Sequence, residues 1–267
     1  MRSVTVMRYV AAMAALLFLL AGCAGNKDKD ETANWPAEKI YTEARSAMSD
    51  GAWDKAIKLF EKLESRFPYG RYAQQAQLEE AYAYFKQGEA ASAVSACDRF
   101  MKLHPNHPNV DYAYYLKGLA NFNEDLGLFG NWTDQDQSER DPKAARESFN
   151  AFKDLVAKFP NSKYSPDAVA RMVYLTNFLA AHDVHVAKYY YRRGAYIAAA
   201  NRAEQTIKQY PNAPATEDAL ILMIRSYDAL GLKDLSADTI RVLKKNFPKT
   251  DYVKKELETE GPWWRLW

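Results

Sequence analysis

Histidine and cysteine are the residues of this sequence best suited to metal binding or nucleophilic chemistry. His104 and His107 flank a proline, and His182 and His185 lie three residues apart, a spacing that places both rings on one face of a helix. Two histidines do not make a zinc site, which needs three or four ligands, and Cys97 falls at a core position of the repeat described below. These residues therefore indicate no metal site.

The acidic residues also lack the spacing of a calcium or catalytic site. Asp134, Asp136 and Ser138 are spaced like the start of a calcium-binding loop, but its sixth position, which requires glycine, is Glu139. No Gly-x-Ser-x-Gly, Gly-x-Gly-x-x-Gly or phosphate-loop motif occurs, and no carboxylates are paired as acid and base. The sequence predicts a protein that is not an enzyme and that uses no cofactor.

Cys23 stands in a setting that predicts covalent lipid attachment. Residues 1–8 carry two arginines and no acid, and residues 9–21 form an almost unbroken apolar run, too short to span a bilayer as a helix of about 20 residues. The run ends in Leu-Ala-Gly-Cys23, which resembles the lipobox of bacterial lipoproteins. Acylated Cys23 would anchor the mature chain without spanning the membrane. The alternative is an ordinary signal peptide with a chance cysteine.

The residues after Cys23 predict where the anchored chain is located. Ala24 and Gly25 follow the cysteine, whereas bacterial lipoproteins kept in the inner membrane often carry aspartate there. We therefore expect the periplasmic face of the outer membrane. Residues 24–34 are polar and aperiodic, so we interpret 1–22 as a lipoprotein signal peptide and 23–34 as a lipidated, flexible tether.

The charge balance argues against a nucleic-acid partner. The chain carries 36 basic and 34 acidic residues, and loss of residues 1–22 with their two arginines leaves 34 of each. Nucleic-acid binding depends largely on a surplus of cationic side chains that neutralise phosphates.

Five aromatic-proline or histidine-proline pairs mark a repeated unit. The first two pairs and the last two are each 37 residues apart, whereas the two middle spacings are 55 and 51 residues. Seventeen residues before each proline stands glycine, or lysine in the third unit. A fixed offset of this kind is typical of a structural repeat with insertions. The five prolines are Pro68, Pro105, Pro160, Pro211 and Pro248.

Residue types recur at fixed offsets from these glycines. A small residue always stands five positions after the turn, and mostly apolar residues stand nine and twelve positions after it. Such spacing predicts one face of a helix, so each unit is interpreted as helix, glycine turn, helix and proline stop. The pattern resembles the tetratricopeptide repeat. It predicts an all-α superhelical solenoid of five tetratricopeptide-like helix-turn-helix repeats with about ten helices.

The two longer spacings locate two insertions. The first, Asn123 to Ser138, is interpreted as a surface loop packed by Phe129 and Trp132, or alternatively as a partner-contact loop. The second lengthens the helix before Gly194. Tyr164 to Arg193 contains no glycine, and its only proline lies in the first turn, so we expect one helix of about 28 residues, roughly 42 Å long.

The long helix divides the repeats into two groups. Residues 35–163 hold N-terminal repeats 1–3, and residues 164–248 hold the long helix and C-terminal repeats 4–5. Residues 249–267 form a C-terminal tail that ends in an aromatic cluster.

Four further motifs resemble the BamD family, the lipoproteins of the outer-membrane β-barrel assembly machinery. They span residues 64–75, 104–112, 140–145 and 186–195, the last followed by Asn201-Arg202. The resemblance implies docking of the C-terminal repeats on the barrel-forming subunit, with the other lipoproteins of the machinery as further partners. It also implies that the N-terminal repeats recognise the C-terminal signal of unfolded outer-membrane proteins.

Tyrosines of the first two repeats are the candidate substrate-binding residues. An unfolded substrate that ends in alternating apolar and aromatic residues needs a groove that offers rings and hydrogen bonds. Ordinary packing within the repeats is the alternative role for any one of these tyrosines. The candidates are Tyr69, Tyr72, Tyr82 and Tyr84.

Asn201 and Arg202 are the candidate partner-binding residues. Arg202 stands where the other repeats carry an apolar or small residue, so it must either extend to the surface or pair with an acid. The resemblance favours a charged contact with the barrel-forming subunit. An internal ion pair with Glu204 or another nearby acid is the alternative.

A second function is consistent with the same features. A structural lipoprotein that tethers the envelope or the cell wall would bind a dedicated protein through its repeats, without a substrate. A peptidoglycan hydrolase would require a pair of catalytic acids that the sequence does not show.

Overall fold

The computed structural model describes residues 31–126 and 142–251. Cys23, the signal peptide, most of the tether, residues 127–141 of the first insertion and the tail from residue 252 lie outside the described residues. The described part contains ten helices and no strand. They are α1 (Ala37–Ser49), α2 (Trp53–Arg66), α3 (Arg71–Gln87), α4 (Ala90–Leu103), α5 (Val110–Leu126), α6 (Lys143–Lys158), α7 (Ser165–Arg192), α8 (Tyr196–Gln209), α9 (Thr216–Ala229) and α10 (Lys233–Asn246).

The helices form five successive hairpins, as the repeat predicts. We call the first helix of each hairpin its A helix and the second its B helix. Every helix packs on the helices before and after it in the chain, and A helices also meet across neighbouring repeats, as in α1 with α3, α3 with α5, and α7 with α9. This one-dimensional packing confirms the solenoid of tetratricopeptide-like repeats.

A glycine in the left-handed conformation closes each A helix of repeats 1, 2, 4 and 5. At the first turn, Gly51 has φ of 73°, and the amide of Ala52 donates to the carbonyl of Ala47 at 2.8 Å. The other three glycine turns make the same bond over five residues, which satisfies helix-end carbonyls in the Schellman arrangement. The turn therefore requires glycine, because side chains with a Cβ rarely adopt this conformation.

Each B helix ends directly before an aromatic-proline or histidine-proline pair. The aromatic or histidine residue of the pair donates the last helical hydrogen bond. At the end of α2, for example, the amide of Phe67 donates to the carbonyl of Leu63 at 2.8 Å. The proline that follows has no N–H to continue the series, and its ring disfavours helical geometry at the residue before it. The proline stops are thus confirmed at all five predicted positions.

The predicted register describes the buried core. The residues five positions after the turn are 0–3% exposed, and those twelve positions after it are all 0% exposed. The small residues at the fifth position therefore stand where A and B helices approach most closely. The residues at the twelfth position, mostly large and apolar, fill the space beside them. The second set comprises Leu63, Phe100, Leu155, Thr206 and Leu243.

The long helix is confirmed, and the first insertion begins later than expected. Helix α7 runs over 28 residues from Ser165 to Arg192, about 42 Å, with Pro166 in its first turn. Helix α5 continues to Leu126, because no glycine or proline interrupts the chain before Gly127. Among the described helices, none is both long and apolar enough to cross a membrane.

Repeat 3 brings its helices together by another route. Its A helix carries Gly118, and a Cβ placed there would lie 2.6 Å from Cδ1 of Phe152, a side chain that is 0% exposed. The hydroxyl of Ser148 donates to the carbonyl of Gly118 at 2.9 Å. Helices α5 and α6 can therefore approach this closely only because Gly118 has no side chain.

We expect Gly118→Ala to destabilise the protein by about 1 to 3 kcal/mol, because the added methyl group overlaps the Phe152 ring. In an exposed helix the same change would stabilise by roughly 0.5 to 1 kcal/mol. Urea unfolding of Gly118→Ala, Phe152→Leu and the double variant measures the effect. The double variant should lose less stability than the sum of the single variants, and strict additivity would contradict the proposed overlap.

Candidate interaction surfaces

A groove crosses the A helices of the first three repeats. It has a volume of about 480 Å³, and its walls come from α1, α3, the start of α2 and α5, and the turn before α7. We call it the A-helix groove. Three successive repeats must stack to form it, so no single hairpin contains the site. Its aromatic rings belong to Trp53, Tyr82, Tyr112 and Tyr164.

Neighbouring rings hold these side chains in place. Trp53 meets Tyr82 edge-on with ring centroids 6.2 Å apart. Tyr164 lies 5.4 Å from Tyr112 and stacks on Tyr115 at 4.8 Å with an angle of 16°. Aromatic pairs at these separations stabilise one another. The groove therefore presents fixed apolar surfaces to an incoming chain.

The groove also carries both signs of charge. Arg45 and Lys163 line it as cations, and Glu79 lines it as an acid. The hydroxyl of Tyr41 donates to Oε1 of Glu79 at 2.7 Å, and Arg45 lies 3.3 Å from the same oxygen. The other oxygen, Oε2, is buried without a hydrogen-bond partner. Burial raises the pKa of Glu79, although Tyr41 and Arg45 oppose the shift.

The structure separates the four predicted tyrosines. Tyr72 and Tyr82 lie ten residues apart on the face of α3 that also carries Glu79, and Tyr72 packs against Tyr41 at 5.4 Å. Tyr84 lies on the opposite face, where its hydroxyl donates to Glu61 at 3.2 Å. Tyr69 lies in the turn between α2 and α3 and is 91% exposed. Only Tyr82 lines the A-helix groove.

Tyr84 lines a second, acidic cavity of about 760 Å³ between the B helices α2 and α4. Arg99 lies 2.7 Å from Glu80 and 3.2 Å from Glu64 in this cavity. Glu80 is only 4% exposed. Burial raises its pKa to about 8, assisted by the hydrogen bond and charge of Glu64 and opposed by Arg99. Glu80 is therefore largely protonated in the folded protein at neutral pH.

Arg202 forms an internal ion pair. Its guanidinium lies 2.8 Å from Asp183 on α7, and Arg146 from α6 approaches the same carboxylate oxygen at 3.7 Å. Asp183 is 1% exposed, so these two arginines compensate a buried negative charge. Glu204, the nearest acid in sequence, pairs instead with Lys208 at 2.7 Å. The internal pair that the sequence left as an alternative is thus present, with Asp183 as the acid. Of the two candidate residues, Asn201 is exposed and Arg202 is half-buried.

His104, His107 and Cys97 take structural roles. His104 Nε2 forms a hydrogen bond with Gln77 Oε1 at 3.0 Å, and both His104 and His107 pack on the Phe100 ring. Burial raises the pKa of the Cys97 thiol to about 12. No three His, Cys, Asp or Glu side chains in the described ranges converge as metal ligands.

The sequence interpretation missed several residues of these surfaces. Trp53, Tyr112, Tyr164 and Glu79 line the groove, and Asp183 holds Arg202. Helical periodicity alone could have separated Tyr82 from Tyr84, since two residues correspond to about 200° around a helix. The other groove contacts join different repeats, and the Asp183–Arg202 pair joins the two helices of repeat 4 across 19 residues, so no local sequence pattern reveals them.

The fold and the groove define a helical-repeat scaffold protein. The family model of the outer membrane lipoprotein YfiO matches residues 33–243. The outer membrane protein assembly factor BamD of Neisseria meningitidis serogroup B is 48% identical over 98% of this chain and 100% of its own length. BamD of Xylella fastidiosa strain Temecula1 is 37% identical over 92% of this chain and 84% of its own.

The chain therefore belongs to the BamD family of outer membrane lipoproteins, which are non-catalytic outer membrane protein assembly factors. The family agrees with the predicted outer-membrane location and assembly role and not with a cell-wall tether. Among solved structures, the tetratricopeptide-repeat domain of P58(IPK) is similar at 14% identity with a TM-score of 0.41, covering 79% of this chain and 51% of that domain.

The raised pKa of Glu80 predicts a pH-dependent stability. The folded state holds a proton on Glu80 up to about pH 8, whereas the unfolded chain releases it near the ordinary value of 4.5. The contribution of Glu80 to the free energy of unfolding is therefore fully present below pH 4.5 and is lost as the pH rises through about 8. Glu80→Gln should flatten the fall in melting temperature across this interval.

Thermal melts at several pH values between 5 and 9 measure this effect, with Glu147→Gln at an exposed acid of α6 as control. An unchanged pH slope in Glu80→Gln would contradict the assignment.

Asp183→Asn should destabilise the protein by about 3 to 5 kcal/mol, because it removes the anion that Arg202 and Arg146 share in a buried setting. Glu204→Gln, which breaks a more exposed pair, should cost less than about 1 kcal/mol. Chemical unfolding of both variants provides the comparison. Equal losses would show that Asp183 does not hold the long helix to its neighbours.

Proposed function

We propose that this protein recognises unfolded outer-membrane proteins in the A-helix groove while its C-terminal repeats bind the barrel-forming subunit of the assembly machinery. Acyl chains on Cys23 hold both activities at the outer membrane. The other lipoproteins of the machinery are further partners. Family membership supports the assembly role, and the groove supports the position of the substrate.

The arrangement of rings around a partly buried carboxylate is the observation that carries the proposal. An unfolded outer-membrane protein presents alternating apolar and aromatic side chains, for which the rings of Trp53, Tyr82 and Tyr112 offer stacking surfaces. The extended backbone of such a chain also offers N–H donors, and Oε2 of Glu79 lacks one. Arg45 and Lys163 supply cations for a terminal carboxylate.

Tyr72 and Tyr82 are the substrate-side tyrosines that this arrangement supports. Tyr72 holds Tyr41, which in turn holds Glu79, so it acts on the groove indirectly. Tyr82 lines the groove directly. Tyr84 and Tyr69 lie elsewhere, and for them substrate binding stays a prediction of the sequence.

Asn201 is the better of the two candidates for contact with the barrel-forming subunit. It is exposed on α8, one turn after Ile197, whose side chain is 65% exposed. Exposed apolar and amide side chains on one helix face are typical of a protein-binding surface. Arg202 already pairs with Asp183, so reversing its charge would disturb the fold as well as the interface. Asn201→Arg is therefore the more informative variant in co-purification.

Photo-crosslinking from α3 tests the substrate site. A benzophenone amino acid at position 82 should capture an unfolded outer-membrane protein, because the Tyr82 side chain lines the groove. The same group at position 84 is the matched control, since it differs by two residues on one helix and faces the acidic cavity. Equal capture from both positions, or capture from 84 alone, would place the substrate elsewhere.

A further inference from the structure

The turn between α2 and α3 exposes aromatic surface to solvent. Tyr69 is 91% exposed, the highest value among the large hydrophobic side chains of the described residues. Phe67, two residues earlier, is 36% exposed, and Arg71 follows with its guanidinium 5.3 Å from the Tyr72 ring. None of these side chains lines the A-helix groove. The exposed rings therefore lie outside the groove proposed for the substrate.

The N-terminal segment is fixed beside this turn. Arg66, the last residue of α2, donates to the carbonyl of Thr32, and the amide of Trp35 donates to the same carbonyl at 3.0 Å. Lys39 lies 4.2 Å from the centroid of the Trp35 ring. Aromatic rings and cations thus surround the point at which the chain arrives from its N-terminus.

The length of the preceding chain limits the distance to the anchor. Only residues 24–31 separate Cys23 from Thr32. Nine backbone steps of at most about 3.3 to 3.6 Å span roughly 30 Å when fully extended. A bilayer that holds acyl chains on Cys23 must therefore lie within roughly 30 Å of Thr32. Arg66 binds the carbonyl of Thr32 beside the α2–α3 turn, so the turn lies close to the membrane as well. The C-terminal repeats are not connected to the anchor by so short a segment.

We propose that residues 67–71, together with Trp35 and Lys39, form a membrane-facing edge that rests on the phospholipid surface holding the lipid anchor. This inference depends on the proposed acylation of Cys23. Tyrosine and tryptophan favour the interface between headgroups and acyl chains, because one end of each ring system is apolar and the other forms hydrogen bonds. Lys39 and Arg71 add attraction to anionic headgroups.

The rings contribute more to this contact than the charges do. Glu31 and Glu38 are exposed close to Lys39 in the sequence, and they offset part of the cationic charge. We therefore expect the contact to persist on neutral lipid and to strengthen on anionic lipid. A short tether and an interfacial contact together would fix the orientation of the first repeats above the membrane.

Site-directed spin labelling of the full lipidated chain tests the edge. The chain is reconstituted in vesicles of phosphatidylethanolamine and phosphatidylglycerol with a label on Tyr69→Cys. The matched control carries the label on Leu103→Cys, which is 56% exposed at the end of the next B helix. Cys97 does not interfere, because it is 0% exposed and burial raises the pKa of its thiol to about 12.

We expect the label at 69 to lose collisions with a water-soluble nickel complex and to gain collisions with oxygen, relative to the label at 103. Equal nickel accessibility at both positions, in protein that co-sediments with the vesicles, would overturn the membrane-facing edge and leave Cys23 acylation intact. Failure to co-sediment would overturn both. Shielding that arises only when an unfolded outer-membrane protein is added would assign Tyr69 to substrate and overturn the lipid contact.

Discussion

Close approach of consecutive helices is the constraint on which the rest of the structure depends. A hairpin of two helices cannot bury its apolar faces alone, so each repeat must pack tightly on the next. Small residues at the fifth position after each turn permit that approach, and they are 0–3% exposed. In repeat 3 the absence of a side chain at Gly118 has the same effect on the A helix. Filling these spaces in repeats 1 to 3 would separate the helices that form the groove.

Stacking also gives the two sides of the solenoid different chemistry. The A helices of three repeats join to form a groove with four rings and mixed charge, whereas the B helices α2 and α4 enclose carboxylates around Arg99. Both surfaces share helix α3, so residues two positions apart on it face different environments. The first surface therefore offers the aromatic contacts and hydrogen bonds that the proposed substrate requires.

Buried acids hold neighbouring repeats to one another. Asp183 on the long helix binds Arg146 from repeat 3 and Arg202 from repeat 4, so one carboxylate connects the two groups of repeats. Arg99 of repeat 2 pairs with Glu64 of repeat 1 and also lies 2.7 Å from Glu80, which is largely protonated at neutral pH. Such pairs cost desolvation energy and stabilise little on their own, but breaking them leaves an uncompensated charge. They fix how neighbouring repeats meet more than they add to stability.

The sequence by itself determined the elements that depend on local backbone chemistry. Glycine 17 residues before four of the five prolines predicts the helix-turn-helix unit, because only glycine readily adopts positive φ at the turn and proline cannot continue a helix. The long helix α7 was likewise predictable, since no glycine or late proline interrupts it. The core register followed from helical periodicity, and the lipobox and four motifs indicated the family.

Tertiary structure decided which side chains meet between helices. Arg202 pairs with Asp183, 19 residues away on another helix, and not with Glu204 beside it, because the approach of α8 to α7 brings that carboxylate within 2.8 Å. The groove likewise assembles Trp53, Tyr112 and Tyr164 from three hairpins. The pKa of Glu80 depends on burial that only the stacked repeats create. Local sequence specifies each helix and turn, whereas these contacts depend on how the two helices of a hairpin, and one hairpin and the next, are placed against each other.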